Sequence, residues 1–279
     1  MLGAIIGDIA GSRFEWKNHK SKDFELFNHE CSFTDDTVLT AAVAKAIMET
    51  EKKVEPSPGR YGFSEEYYAL LGEMTVKYMQ EIGRNYPYAG FGTRFHSWLF
   101  SNNPKPYNSF GNGSAMRISP AGLAARSETE AIYLSKAISE VTHNHEDGLK
   151  GAEATTMAIY MAGHGFTKEE IEEKITTDYY PLDFMLDDIR EEYSFDVSCK
   201  GSVPQAIKAF LEAESFEDTI RTAISIGGDS DTIAAIAGAI AEAFYGVPED
   251  LKNEALGFLD DDLRDIYSQW EDFLGKCEG

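Results

Sequence analysis

Cysteine is scarce: Cys31, Cys199 and Cys277 are odd in number and widely scattered along 279 residues. They offer neither a disulfide framework nor a zinc-ligand spacing, and a reducing compartment suits them. Basic side chains are also few, with 25 Lys+Arg against 48 Asp+Glu and a formal net charge of −23. That balance disfavours duplex nucleic acid and anionic membrane as direct partners. Long apolar runs are missing. The run TIAAIAGAIAEAF, residues 232–244, is too short to span a bilayer and contains Glu242. The opening MLGAIIGDIAGSRFEW lacks a basic leader, and Asp8 breaks its apolar stretch, so it is not expected to act as a secretory signal. A cytoplasmic protein is the expectation. Sustained period-two alternation is rare as well, which makes a dominant sheet an unsuitable architecture.

What the chain does have is helical periodicity. Apolar residues recur at helical spacing over 2–11, 37–50, 64–82, 91–100, 128–141, 146–162, 168–175, 204–213, 216–225 and 232–245, and a polar helix follows toward the C-terminus. Turn residues gather at EPSPGRYG, SNNPKPYNSFGNGS and GGDS, with no fixed-period repeat and no low-complexity tract. A composition of 43% hydrophobic and 26% charged residues is that of a globular protein. The expected architecture is a single, mostly helical domain over residues 1–279, with 176–202 as a candidate insertion. Gly3, Gly7 and Gly11 recur on one helical face, and Ala234 and Gly238 repeat the spacing. Glycine costs about 1 kcal/mol relative to alanine inside a helix, so close backbone packing is the expected compensation.

Two helix starts are unusually acidic. In FTDDTVLT, Thr34 reads locally as an N-cap with Asp35 and Asp36 in the first turn, where the helix dipole favours anions by a few tenths to about 1 kcal/mol. In SIGGDSDTIAAIAG, Asp229, Asp231 and Thr232 open a second apolar helix and permit the same local reading. If the two starts meet, four carboxylates repel one another unless cations neutralise them. Carboxylate and hydroxyl oxygens suit Mg²⁺ or Mn²⁺ better than zinc. Two such ions about 3.5–4 Å apart can share a bridging carboxylate.

The stretches GAIIGDIAGSRFE, FTDDTVLT, GNGSAMRISP, VTHNHE and GGDSDTIAAIAGAIAEAFYG occur in this order. Together they resemble the ADP-ribosylglycohydrolase family from Gly3 to about Gly246. The resemblance implies an all-α orthogonal helical bundle and a binuclear magnesium or manganese centre. The activity it implies is cleavage of the glycosidic bond at C1″ of ADP-ribose. It also implies that Thr34, Asp35 and Asp36 form one metal-ligand set, and Asp229, Asp231 and Thr232 the other, with Asp231 bridging. Glu15, in GSRFE, matches an acidic residue on a loop beside the metals, so Asp36 and Glu15 become the candidate catalytic carboxylates.

The same resemblance assigns substrate binding to Asn112, Gly113, Ser114 and Met116 in GNGSAMR, to Gly90 and Gly92 in YAGFGTRF, and to His143 in VTHNHE. His145 has no such support, and its spacing from His143 puts the two on different helical faces, against a zinc pair. Glycine-rich turns can hold a diphosphate through backbone N–H groups despite the −23 balance. Arg117 is expected either to add a positive charge there or to pair with a carboxylate. The expected partner is an ADP-ribosylated protein or an ADP-ribose-containing small molecule, bound by a monomer. A noncatalytic ADP-ribose binder of the same fold is the alternative. A magnesium-diphosphate motif of isoprenoid-synthase type is also satisfied by DDLRD, residues 261–265, but without a second comparable motif.

Overall fold

The computed structural model describes residues 1–54 and 64–277, with side chains as far as 275. The turn expected at EPSPGRYG and the side chain of Cys277 lie outside the described residues. In chain order the helices are α1 (Leu2–Ser12), α2 (Asp35–Lys53), α3 (Glu65–Gly83), α4 (Thr93–Leu99), α5 (Ser119–Ala124), α6 (Glu128–Ser139) and α7 (Glu146–Gly163). They continue as α8 (Lys168–Asp178), α9 (Leu186–Ile189), α10 (Cys199–Glu212), α11 (Phe216–Ile224), α12 (Ser230–Tyr245), α13 (Glu249–Leu256) and α14 (Asp261–Cys277). Among the described residues there is no strand, and Gly111 and Ser198 form an isolated antiparallel bridge. The chain is all-α.

Ten of these helices follow the expected periodic segments, with shifted ends. The helix expected from Pro204 instead begins at Cys199, where the Ser198 side chain accepts from the Gly201 N–H, and Pro204 sits inside it. The helix expected over 91–100 shortens to α4, because Gly92 takes an extended cap conformation. The polar C-terminal segment divides into α13 and α14. Within residues 176–202, Tyr180, Leu182 and Leu186 are buried in the common core.

α12 is apolar on every side and is buried from Ser230 to Ala241, as a central helix must be. It packs against α1, α7, α10 and α11. The contact with α1 is backbone on backbone. A Cβ on Gly3 would stand 2.1 Å from Gly238 O, one on Gly7 2.1 Å from Ala234 O, and one on Gly11 2.5 Å from Asp231 Cα. These pairings run in opposite directions along the two helices, so α1 and α12 are antiparallel. Glu242 completes the pair by accepting from the Met1 ammonium at 2.6 Å and from the Leu2 and Gly3 N–H groups at 3.1 and 2.8 Å. A carboxylate at that helix N-terminus meets both its unpaired donors and its positive end. The consequence lies at the opposite end: the chain leaving α1 emerges beside the N-terminus of α12.

Candidate functional site

Asp8 explains how the second acidic helix start reaches the first. It is fully buried in α1, and its Oδ2 accepts from the Thr34 N–H at 2.9 Å and the Thr37 N–H at 3.0 Å. Its Oδ1 and Oδ2 also accept from the hydroxyls of Thr34, at 2.7 Å, and Thr37, at 2.5 Å. One carboxylate thereby caps α2 from the neighbouring helix. Since α1 lies against α12, capping α2 with an α1 side chain carries Asp36 to the start of α12. There the Thr232 hydroxyl donates to Asp36 Oδ2 at 3.2 Å.

Two groups of carboxylates result. Asp8, Asp36 and Asp231 have oxygens within 4.8 Å of one another, as do Glu15, Asp229 and Asp231. Asp231 belongs to both. Asp35 lies outside these two groups, although its N–H is anchored to Ala89 O at 2.8 Å and its Oδ1 would stand 3.1 Å from a Cβ on Gly90. Thr34 keeps its hydroxyl on Asp8.

Electrostatics in the cluster run one way. Burial, then Asp8, and then Asp229 and Glu15 push Asp35 up to about 8. Burial, then Asp229, pushes Glu15 up to about 7. Burial and like charge raise Asp36 and Asp231 well above the ordinary range, and burial raises Asp229 as well. Burial also raises Asp8, against the four donors that it accepts from. Carboxyls raised together in this manner lack a counter-charge. Asp36 Oδ1 is moreover buried with no hydrogen-bond partner. A buried acceptor left unmatched, next to an all-oxygen donor set, fits a hard divalent cation.

The cluster forms one end of a cleft of about 460 Å³. Glu15, Thr34, Asp35, Asp36, Asp229, Asp231 and Thr232 line it, together with Gly90, Gly92, Asn112, Gly113, Met116 and His143. Ser114 is the exception among the expected residues. Its hydroxyl is buried and donates to Gly148 O at 2.8 Å, so the side chain faces the core rather than the cleft. The D-D-x-x-D segment lies on the solvent side of α14, with Asp261 paired to Arg264.

The cleft wall also carries positive charge. Arg117 is fully buried and donates to the Thr142 hydroxyl at 2.7 Å, and it makes no ion pair among the described residues. Its Nε and Nη1 are buried without partners. Burial lowers its pKa to about 10, which still leaves it charged at neutral pH. Thr142 in turn lies 2.7 Å from His143 Nδ1. The Thr142 oxygen accepts from Arg117 and keeps a proton to donate to Nδ1, an arrangement that would leave the proton of a neutral His143 on Nε2. Burial, then Arg117 and Arg94, hold His143 well below its ordinary value. Nε2 faces the glycine turn, 3.4 Å from where a Cβ on Gly113 would stand. That turn is fastened from behind by Asn112 N–H to Val197 O at 2.7 Å, and Asn112 Nδ2 donates to Asp229 Oδ2 at 2.6 Å. The glycine turn and the acidic cluster are therefore one bonded unit.

Some residues of the site and its support escaped the sequence reading. Asp8 left a signal, an acid inside an apolar helical run, which breaks the pattern at a position that must be buried. Trp16 and Phe195 left none: their rings stack at 4.7 Å at the cleft wall, 179 positions apart by their numbers, and only the fold pairs them. Tyr107, over which the Arg94 guanidinium sits at 4.9 Å, is equally silent in sequence.

Comparison with known proteins agrees with this architecture. A family model described as ADP-ribosylglycohydrolase matches residues 1–278. ADP-ribosylhydrolase ARH3 of Xenopus tropicalis is 25% identical, over 93% of this chain and 91% of its own length. The Homo sapiens ARH3 is 26% identical, over 94% and 90%. An ADP-ribosylarginine hydrolase Tri1 from Pseudomonas putida (strain GB-1) is 26% identical, over 88% and 70%. A solved chain titled ADP-ribosylglycohydrolase-related protein complex superposes with a TM-score of 0.61 at 21% identity, covering 92% of this chain and 94% of that one, and so shares its fold.

Proposed function

Because the chain belongs to the ADP-ribosylglycohydrolase family, we propose that it hydrolyses the C1″ glycosidic bond of ADP-ribosylated substrates with two Mg²⁺ or Mn²⁺ ions. The carrying observation is the membership of Asp231 in both carboxylate groups, next to an Asp36 oxygen with no partner. Asp36, Asp229 and Asp231 would hold the ions with Thr34, Asp35 and Thr232, and Asp8 is added as a neighbour that orients the set. When bound, such ions neutralise the cluster and hold sugar and water oxygens.

The chain's own residues do the rest. Gly90, Gly92, Asn112 and Gly113 present backbone to the diphosphate, with Arg117 and the His143 Nε2–H supplying the local positive field that the −23 balance otherwise denies. Met116, whose Sδ lies 3.9 Å from the Thr232 hydroxyl, would meet the substrate beside the carboxylate cluster. The ribose then lies against the acidic end, beside Glu15. Glu15, half-buried beside Asp229 and Asp231, is the carboxyl placed to exchange a proton there. Water adds to C1″ through an oxocarbenium-like transition state as the bond to the acceptor breaks. The electron pair of that bond leaves with the acceptor, and Glu15 or Asp36 takes the proton from the water. The whole of residues 1–279 serves as one domain in this reading, and the monomer is the working unit.

The test is release of ADP-ribose from arginine, serine and acetyl linkages after chelation and re-addition of each ion, alongside calorimetry with free ADP-ribose. Ion-dependent release supports the proposal. Tight ADP-ribose binding with no release from any linkage replaces it with a noncatalytic binder.

A further inference from the structure

Lys20 lies outside the motifs above, and among the described residues it makes no ion pair despite the 48 acidic residues of the chain. Its ammonium donates instead to two backbone carbonyls, Tyr193 O and Ile226 O, each at 2.6 Å. Both acceptors belong to segments that end in the cleft. The chain after Tyr193 delivers Phe195, and the chain after Ile226 delivers Asp229. Lys20 itself follows the segment that carries Glu15 and Trp16.

The neighbourhood is shaped for this contact. Asn18, in the left-handed region at φ 46, accepts from the Gly228 N–H through Oδ1 at 3.1 Å. Gly227 and Gly228 are left-handed as well, at φ 71 and 73. A Cβ on Gly227 would stand 2.3 Å from Asn18 Oδ1 and 3.0 Å from Lys20 Nζ, and one on Gly228 would stand 2.4 Å from Tyr193 Cε1. The double glycine is therefore required twice, by its own dihedrals and by the three segments that close on it. An ammonium has three donors with free rotation, which lets one group satisfy carbonyls on two separate segments.

We propose that Lys20 is a positioning residue, a cationic crosslink that sets the Glu15 segment, the Phe195 segment and the Asp229 turn in one register. It acts through these segments and touches no cleft atom itself. The kinetic consequence rests on the hydrolase reading, whereas the structural consequence does not. Losing the crosslink lets Glu15 and Asp229 drift relative to one another and loosens the Gly111 to Gly113 turn through its bonds to Val197 and Asp229, while the glycine turn at Gly90 to Gly92, which Lys20 does not contact, stays in place.

The experiment compares Lys20→Met, which keeps the stem but donates nothing, with Lys20→Arg, which keeps charge and donors, in the full chain. Lys20→Met is expected to lower kcat about tenfold or more with KM changed less than about threefold, and Lys20→Arg to recover much of the loss. Hydrogen exchange without substrate is expected to rise in 13–20, 190–198 and 225–229 and at the Asn112 N–H that Val197 O accepts, and not at 89–93. Should Lys20→Met fail to fold, Asn18→Ala opens the same latch without removing charge and is expected to move the same exchange. If the wild type releases ADP-ribose from no linkage, the hydrolase reading fails and the exchange pattern alone decides the crosslink. Unchanged exchange in those segments overturns the proposal, as does a Lys20→Met enzyme with wild-type kcat or a loss that Lys20→Arg does not recover.

Discussion

The Thr232 hydroxyl donates to Asp36 Oδ2 at 3.2 Å, joining residues 196 positions apart. Two helix N-termini that could each have capped only themselves meet at that bond. The meeting follows from α1, whose glycine face lies on α12 while its Asp8 holds the first turn of α2. A single helix thus aligns both acidic starts.

Asp36→Asn separates the cost of the cluster from its use. Replacing one of several buried like-charged carboxyls removes repulsion, so the chelated variant is expected to be more stable than chelated wild type by about 1–2 kcal/mol in urea. The stabilisation that Mg²⁺ gives wild type is expected to vanish, since binding to the folded state alone raises its stability. A chelated variant that is weaker than wild type, yet still gains from Mg²⁺, contradicts the description of the cluster.

The same carboxyls set the response to pH. Asp35 at about 8 and Glu15 at about 7 hold protons in the folded chain that the unfolded chain has released, so folding takes up protons in this window. With chelator present, their contribution to stability is complete below the ordinary carboxylate range and is lost as pH rises through about 8. Thermal melts across that range should fall with pH, and a bound dication should flatten the slope by replacing the protons. A metal-free melting temperature that climbs over the same range rules this out.

Much of this was legible in the sequence because helices and oxygen-rich motifs leave local marks. The periodic segments became helices since each apolar stripe, or in α12 an apolar cylinder, has to be covered. The spacing of Gly3, Gly7 and Gly11 announced a backbone contact whose partner, Ala234 to Gly238, carries the same small-residue spacing. Other features have no local mark. Ser114 stands inside a binding motif, but its buried hydroxyl donates to Gly148 O, an acceptor on a separate helix that no local window contains. α10 begins at Cys199, ahead of Pro204, where the Ser198 cap and the burial of Cys199, Ser202 and Val203 together hold a first turn that a proline in the helix disfavours. Trp16 against Phe195 and Lys20 against Ile226 are products of chain crossings, which no window of sequence contains.

Two glycine substitutions should have opposite signatures. A Cβ on Gly7 would stand 2.1 Å from Ala234 O, and backbone cannot yield as a side chain does. Gly7→Ala is expected to destabilise by about 2–3 kcal/mol in denaturant and to displace Asp8 from α2. A Cβ on Gly92 meets nothing within 4 Å, so Gly92→Ala should change stability by less than about 0.5 kcal/mol. The methyl would nonetheless stand in the proposed diphosphate path, and affinity for ADP-ribose should fall about tenfold, which is about 1.4 kcal/mol. Calorimetry with ADP-ribose, paired with urea curves, distinguishes the two; full affinity in Gly92→Ala removes that turn from the binding surface.

Thr142 tests the positive wall of the cleft. Its oxygen accepts from Arg117 Nη2 at 2.7 Å and lies 2.7 Å from His143 Nδ1, so one hydroxyl holds one nitrogen of a buried cation and is placed to set the histidine tautomer. Thr142→Val keeps the shape and removes both bonds. Arg117, whose Nε and Nη1 are already without partners, then loses the one hydrogen bond found for its guanidinium, at a cost of about 1–3 kcal/mol in stability. His143 is free to move its proton to Nδ1, which withdraws a donor from the turn at Gly113. Affinity for ADP-ribose should drop about tenfold, while the Mg²⁺-induced rise in melting temperature, which arises at the carboxylate cluster, should persist. Thr142→Ser restores the hydroxyl and should restore affinity. Nitrogen-15 NMR of the His143 ring reads the tautomer directly, and a Thr142→Val protein that keeps both the Nε2–H form and wild-type affinity would show that the hydroxyl sets neither.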